Sequence, residues 1–216
     1  ALFHDIGAYK KEEINNMIKF ETRNIWEHSI YGYLFFKHFT PLNDLAETIL
    51  YHHMEYQKLV KIQSKYETIA SYIKLADRID INHISSIEVI PSAFNHLRDV
   101  RYSGHALDVF HNAQLEYYIL EKLEDNSYLE ELNQFLNSVE FTSVEKEQFL
   151  QMLIYSIDFR SEHTVRHTIT TVSIADQLGK LMGLNDQDTF NLHYGALLHD
   201  VGKIATPLNI LEAPRA

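Results

Sequence analysis

The chain has 216 residues, 45% of them hydrophobic, and a formal net charge of −11; that length and apolar content suffice for one or two packed domains, while the acidic balance excludes a broad basic face for a nucleic-acid polymer. There is no cysteine, which excludes structural disulfides and thiolate metal sites. No apolar run approaches the ~18 residues of a membrane span, so a cytoplasmic location is expected, with any membrane or sensor domain outside this stretch.

Gly and Pro are scarce, seven and four, and helical patterns are long, so the expected fold is all-α. Lys10 to Phe20 predicts a short helix, with Glu12 and Glu13 favourable near its start. Thr22 or Asn24 suits the cap of a helix from Ile25 to Phe39, with Trp26, Ile30, Tyr33, Leu34 and Phe36 at helical spacing. Pro41 fits the first turn of a helix reaching Leu50 and ending in Tyr51-His52-His53. Met54 to Ser64 reads as a polar loop where Lys58, Lys61 and Lys65 cluster, either as solvated surface or in contact with a phosphate. Tyr66 to Asp80 predicts a helix burying Ile69, Ile73, Ala76 and Ile79. Asp77 projects close to that face, where a carboxylate needs a partner.

Ile81 to Gly104 is irregular. Ala106 to Leu123 predicts one helix with Leu107, Phe110, Leu115 and Ile119 inside. Tyr128 to Leu136 and Val144 to Ile157 predict two more, after a boundary at Asp125-Asn126-Ser127. His163 opens a helix to Met182, with Val172, Ala175 and Leu178 on one face and Gly183 as its stop. Asp186 to Leu198 is the next helix, and Pro207 ends the local structure.

One motif occurs twice: Ala1-Leu2-Phe3-His4-Asp5-Ile6-Gly7 and Ala196-Leu197-Leu198-His199-Asp200-Val201-Gly202-Lys203. Adjacent His and Asp can both ligate a metal, the apolar residues before them anchor a helix end, and the Gly after them permits a sharp turn. The alternative is a buried His-Asp pair, and the second copy weighs against it. A repeat of this length predicts the C-terminal portion of one unit in residues 1–125, connecting helices in 126–157, and the N-terminal portion of a second unit in 158–216. The stretch is therefore expected to be a fragment, inactive by itself because each half-site lacks what the other has. Two incomplete units are favoured over a composite in which the His163 helix completes the first site, within a chain or across a homodimer. On that view His163 lies near His199 and Asp200 and far from Asp5.

The ordered set of motifs resembles the HD-domain metal-dependent phosphohydrolases. Within them it is most similar to the HD-GYP branch, whose members hydrolyse cyclic dinucleotides, typically cyclic di-GMP, with two or three metal ions. The resemblance rests on His4-Asp5, Trp26 to Gly32, Tyr51-His52-His53 and Ile73 to Asp80 in the first unit. In the second it rests on Glu162 to Arg166, Ala196 to Ile204 and Pro207 to Leu211. It implies a helical bundle and a phosphodiesterase of bacterial signalling acting on a cyclic dinucleotide. It also implies two divalent ions per complete site, iron or manganese ahead of zinc. The matching ligands are His4, Asp5, His28, His52, His53 and Asp77, then His163, His199 and Asp200. Asp5 would bridge two ions, with His4 and Asp77 on one and His28, His52 and His53 on the other. Lys203 matches a lysine that contacts substrate phosphate.

The chain departs from the family pattern in three places. Ala8 stands where the second unit has Lys203, and Lys10 is the candidate substitute. Met54-Glu55-Tyr56-Gln57 follows His52-His53 in place of Gly-Tyr-Pro. Phe159 replaces a Glu found in some relatives, which favours two metals over three. The competing readings are a degenerate signalling module that binds metal or nucleotide without turnover, and an HD hydrolase of another nucleotide. Residue by residue, the bland alternatives are a packing His28 beside Trp26, a His52-His53 helix end with one exposed ring, and an Asp77 ion pair with Arg78 or Lys74. His167 stands between supporting a ligand and packing. His38, His83, His96, His105, His111 and His193 read as non-ligands.

Overall fold

The computed structural model describes residues 2–8, 25–84, 91–158, 165–207 and 210. Every regular element among them is helical: α1 (Ile25–Phe39), α2 (Ala46–Tyr51), α3 (Tyr56–Leu59), α4 (Glu67–Ile84), α5 (Gly104–Tyr117), α6 (Ile119–Asp125), α7 (Tyr128–Ser138), α8 (Ser143–Asp158), α9 (Val165–Met182) and α10 (Asp186–Leu198). Short 3-10 turns lie at Asn43–Leu45, Pro91–Leu97 and Val201–Ala205. The fold is the all-α bundle expected. The helix predicted at Lys10 to Phe20, and its neighbours Thr22 and Asn24, lie outside the described residues. Contacts divide the chain into two compact units, residues 1–38 with 42–142 and residues 39–41 with 143–216.

In the first unit a small apolar cluster positions the His4-Asp5 turn. Phe36 of α1 and Ala46 and Ile49 of α2 are buried, and Phe3, Ile6, Tyr33 and Leu42 pack against them. Phe3 and Ile6 bracket the doublet, so the contacts that anchor the turn also aim its polar side chains. Full burial of a side chain like Ile49 is worth ~1.5–3 kcal/mol, enough to hold a short turn in place. Gly7 does a different job from the one its sequence context suggests. A Cβ there would lie 2.1 Å from the His28 carbonyl oxygen and 2.3 Å from the Gly32 nitrogen. The turn therefore lies directly on the α1 backbone, and close approach is what demands glycine.

A larger cluster joins α4, α5 and the turn at Pro91–Leu97 through Leu75, Ile79, Phe94, Tyr102, Ala106, Leu107 and Phe110. Ser103 caps α5, its hydroxyl accepting from the Ala106 N–H, which satisfies a donor the helix start leaves open. Three local expectations are revised. The helix expected from Ala106 to Leu123 breaks at Tyr118, whose φ is +53°; the Gln114 side-chain carbonyl accepts from the Leu120 N–H at 2.8 Å and caps the new start, leaving Leu115 exposed. The buried face of α4 is Ala70, Ile73, Leu75 and Ile79, with Ile69 and Ala76 exposed, because α4 packs against α2 and α5 together and its buried arc is turned accordingly. The polar stretch from Met54 to Ser64 contains the helical turn α3.

In the second unit α9 packs along α10, and α8 meets both. Gly183 ends α9 at φ +66°, the left-handed conformation glycine adopts freely. Asn185 caps α10 by accepting from the Asp188 N–H at 2.9 Å. Leu178, expected inside, is exposed while Ala175 is buried. Thr168 of α9 donates its hydroxyl to the Asp158 carboxylate at the end of α8, and both residues are buried. His193 of α10 meets Asp176 of α9 at 3.0 Å and lies 3.5 Å from Glu147 of α8.

Candidate metal centre

Four segments converge in the first unit. The turn brings His4 and Asp5, α1 brings His28, the end of α2 brings His52 and His53, and α4 brings Asp77. The Asp5 carboxylate oxygen Oδ1 lies 3.5 Å from His28 Nε2 and 3.6 Å from His52 Nε2. His4 Nε2 is 3.3 Å from Asp5 Oδ2 and 3.5 Å from Asp77 Oδ1. His28 Nε2 and His53 Nε2 are 2.9 Å apart. The donors form two groups, Asp5 with His28, His52 and His53, and His4 with Asp5 and Asp77; within each group the ligand atoms lie within 4.8 Å of one another. Asp5 belongs to both.

The tautomer of His52 follows from its partner. Its Nδ1 is 2.5 Å from the Ile49 carbonyl oxygen, which can only accept, so Nδ1 carries the proton and Nε2 presents a lone pair. That arrangement is the usual support of a metal-binding imidazole. His28 and His52 are buried, and so, nearly, is His53, whose side chain is 10% exposed; neither ring of the doublet points to solvent. Asp77 faces His4, and its Oδ2 is 4.0 Å from His53 Nδ1. Lys74 turns away from it, donating to the Met54 carbonyl at 2.8 Å and the His53 carbonyl at 3.3 Å.

Electrostatics prepare these groups to hold a cation. Burial would raise the Asp5 carboxyl, but the imidazoles of His52, His4 and His28 beside it bring it below the ordinary value. Burial, then the neighbouring His52, lowers His28 to about 4 and pushes His53 down further. Burial lowers Lys74 to about 8. The result is an anionic Asp5 carboxylate beside the neutral imidazoles of His28 and His53, the protonation state metal binding requires.

A divalent cation fits this donor set. Asp5 Oδ1, His52 Nε2 and Asp77 Oδ2 are buried and have no hydrogen-bond partner among the described residues. Each such atom costs ~1–3 kcal/mol, and three together are large against a domain stability of ~5–15 kcal/mol. Two nitrogens bound to one ion at about 2.1 Å sit roughly 3.0–3.4 Å apart at ordinary ligand angles, close to the His28–His53 spacing.

In the second unit His199 Nδ1 is 2.7 Å from the Ala196 carbonyl, the same i−3 support His52 has. Its Nε2 lies 3.1 Å from Asp200 Oδ2 and 3.1 Å from His167 Nε2, and these three residues form a third donor group. Lys203 Nζ reaches Asp200 Oδ2 at 2.5 Å. His163 and Lys10 lie outside the described residues, as does Phe159. Two residues gain roles the sequence left open. Lys74 is drawn to the carbonyls ending α2, for which its place one turn before Asp77 was the available signal. His167 reaches His199, for which the signal was its place one turn after His163 on one helix face.

Residues 1–82 match the family model described as "HD domain", the part of the chain that carries the His4, Asp5, His28, His52, His53 and Asp77 cluster. Among characterised proteins the chain is similar to the "3'3'-cGAMP-specific phosphodiesterase 1" of Vibrio cholerae serotype O1, with 26% identity over an alignment covering 99% of this chain and 54% of the relative. The chain thus spans about half the length of the curated relative it matches. No solved structure matches it significantly.

Proposed function

We propose that the chain is part of a metal-dependent phosphodiesterase acting on a cyclic dinucleotide in the cytoplasm, through the cluster of the first unit. The sharing of Asp5 between two donor groups carries this reading, since a carboxylate between two ions is the feature of a two-metal site. His4, Asp5 and Asp77 would hold one ion, and Asp5, His28, His52 and His53 the other. Nitrogen and oxygen ligation suits iron or manganese, with zinc as the third choice. When bound, such ions supply positive charge for phosphoryl oxygens and acidify water.

The chain's own residues prepare for that. Burial keeps the His28 and His53 lone pairs free of protons. The Ile49 carbonyl fixes the His52 ring. Lys74 holds the carbonyls of His53 and Met54 and so orients the end of α2. A chain of net charge −11 repels an anionic substrate overall, so attraction has to be local. Lys203 in the second unit, and Lys10 in the first, are the residues assigned to substrate phosphate, and His163, His199 and Asp200 are the second unit's counterpart ligands. The specificity named for the Vibrio cholerae relative and the missing Gly-Tyr-Pro after His53 together favour a hybrid such as 3'3'-cGAMP over cyclic di-GMP.

Ala8 favours a second reading, nucleotide binding without turnover. One experiment separates the two: metal analysis of the full-length protein with turnover of 3'3'-cGAMP, cyclic di-GMP and cyclic di-AMP. The expected result is hydrolysis of 3'3'-cGAMP that is lost on chelation and in Asp5→Ala, with the helical circular dichroism unchanged. Tight nucleotide binding by the ion-loaded protein with no product would establish the second reading instead.

A further inference from the structure

We infer that Tyr102 is a positioning residue for the ion assigned to Asp5, His28, His52 and His53, acting through Lys74 on the backbone of His53 and Met54; this rests on the reading of that group as a metal site. The need for it arises at the end of α2. A helix leaves its last carbonyls without partners, and His52 and His53 follow α2 directly. His52 has its own support, the Ile49 carbonyl at its Nδ1. The described polar contacts of the His53 ring are His28 Nε2 at 2.9 Å and, more distantly, Asp77 Oδ2 at 4.0 Å. Both partners are themselves assigned to metal, so the aim of the His53 ring has to come from its backbone.

That backbone is held from α4. Lys74 Nζ donates to the Met54 carbonyl at 2.8 Å and to the His53 carbonyl at 3.3 Å. A lysine gives up much rotamer freedom in such a bridge, so the bridge gains from anything that fixes its ammonium. Tyr102 does so: Lys74 Nζ lies 5.5 Å from the centre of the Tyr102 ring, within the ~6 Å reach of a cation over an aromatic face. The ring itself is immobilised. Tyr102 is buried in the cluster with Leu75, Ile79 and Phe94, edge-on to Phe94 at 5.2 Å. The loop carrying Tyr102 also grips the segment after His53. The Tyr56 N–H donates to the Arg101 carbonyl at 3.2 Å and the Gln57 N–H to the Val100 carbonyl at 3.1 Å. The Leu97 carbonyl closes that loop by accepting from the N–H groups of Val100, Arg101 and Tyr102. Residues 53–57, where Gly-Tyr-Pro is missing, are thus fixed by one lysine and one loop. His4 and Asp77 do not ride on α2, so the effect is confined to one of the two donor groups.

The test is cobalt(II) titration of the full chain, followed by d–d absorption, in a His4→Ala, His199→Ala background that leaves this group as the measured site. Lys74→Met keeps the apolar stem and removes the ammonium. Affinity is expected to fall about tenfold, as for other groups that orient a ligand, and the absorption to move toward that of His53→Ala. Tyr102→Leu is expected to weaken binding about threefold, and to add nothing in the Lys74→Met background. Tyr102→Phe removes the hydroxyl that meets Arg78, keeps the ring, and is expected to leave cobalt binding unchanged. Unchanged affinity in Lys74→Met overturns the inference. So does a Tyr102→Leu effect that persists in full beside Lys74→Met, or a loss in Tyr102→Phe as large as in Lys74→Met. Lys74→Met and Tyr102→Phe decide the matter even where Tyr102→Leu fails to fold. His53→Ala separates this failure from failure of the metal reading. If it weakens cobalt binding while Lys74→Met does not, only the positioning role falls; if it changes nothing, His53 is not a ligand and both fall.

Discussion

His28 Nε2 and His53 Nε2 face each other across 2.9 Å, one from the first turn of α1 and the other from just past the end of α2. Burial lowers both imidazoles, His28 to about 4. The unfolded chain takes up protons on these rings below about pH 6.5, while the folded state refuses them until near pH 4. The unfolded state thus binds more protons in that window, and stability rises with pH across it. In chelated protein the melting temperature should climb from pH 4.5 to about 6.5 and then level off. Added manganese should flatten the climb by holding the lone pairs. A melting temperature as high at pH 5 as at pH 7 in chelator would contradict the role given to burial.

The close approach of Gly7 to α1 sets a second expectation. An alanine Cβ would meet two backbone atoms inside 2.4 Å, the His28 oxygen and the Gly32 nitrogen, and neither can rotate away. Overpacking of this kind costs ~1–3 kcal/mol or more, and for a chain of this size each kcal/mol lowers the melting temperature by about 2–4 °C. Gly7→Ala should also lose metal, since the turn carrying His4 and Asp5 has to lift. Gly202 holds the matching place in the second unit, and a Cβ added there would meet nothing within 4 Å; Gly202→Ala should stay within ~0.5 kcal/mol. Equal effects of the two substitutions on thermal melts would show that the first turn is not pressed on α1.

That contrast separates what the chain declares locally from what only its fold decides. The doublet, its repeat in the sequence and the histidines at the start of α1 and the end of α2 were legible because ligand types at helix ends leave a local pattern. The helix from Asp186 to Leu198 was legible because its cap Asn185 is local too. What local pattern does not carry is the third dimension. Gly7 looks like a turn residue until α1 lies beneath it. Ile69 looks as apolar as Ile73, and only the packing of α4 between two partners decides which one is buried. The break at Tyr118 depends on a side chain, Gln114, reaching forward to Leu120 and Glu121. His167 was ambiguous for the same reason: spacing put it on a face, and only α10 says what that face meets.

The buried pair of the second unit carries an asymmetric expectation. Thr168→Val keeps the shape and removes the hydroxyl that Asp158 accepts from. Leaving a buried acceptor short of a donor costs ~1–3 kcal/mol. Burial already raises the Asp158 carboxyl, so its charge contributes less than its hydrogen bond. Asp158→Asn keeps an acceptor and removes the charge, and should cost less than Thr168→Val. Urea unfolding measures both. If Asp158→Asn is the more destabilising, the charge matters more than the bond.

Ala8 and Lys203 occupy the same place in two similar turns. The Ala8 N–H donates to the Asp5 carbonyl and the Lys203 N–H to the Asp200 carbonyl, both at 2.9 Å. Lys203 then reaches the Asp200 carboxylate, a contact alanine cannot make, so Asp5 keeps its oxygens for the histidines and for cations. Ala8→Lys sets two effects against each other: an ammonium could compete with an ion for Asp5, or could turn to a substrate phosphate. Magnitudes decide. A lone, partly exposed ammonium–carboxylate contact contributes ~0–1 kcal/mol, far less than an ion held by a carboxylate and several imidazoles. The ion should therefore stay and the lysine should serve the phosphate, where a charged hydrogen bond of ~1.5 kcal/mol gives about tenfold in affinity. Calorimetry of manganese-loaded protein should show tighter cyclic-dinucleotide binding, with the gain shrinking as salt screens the new charge, and metal content unchanged. Metal loss in Ala8→Lys would reverse this ordering, because the lysine and the ion would then be rivals for Asp5 and alanine would be what keeps the first site open.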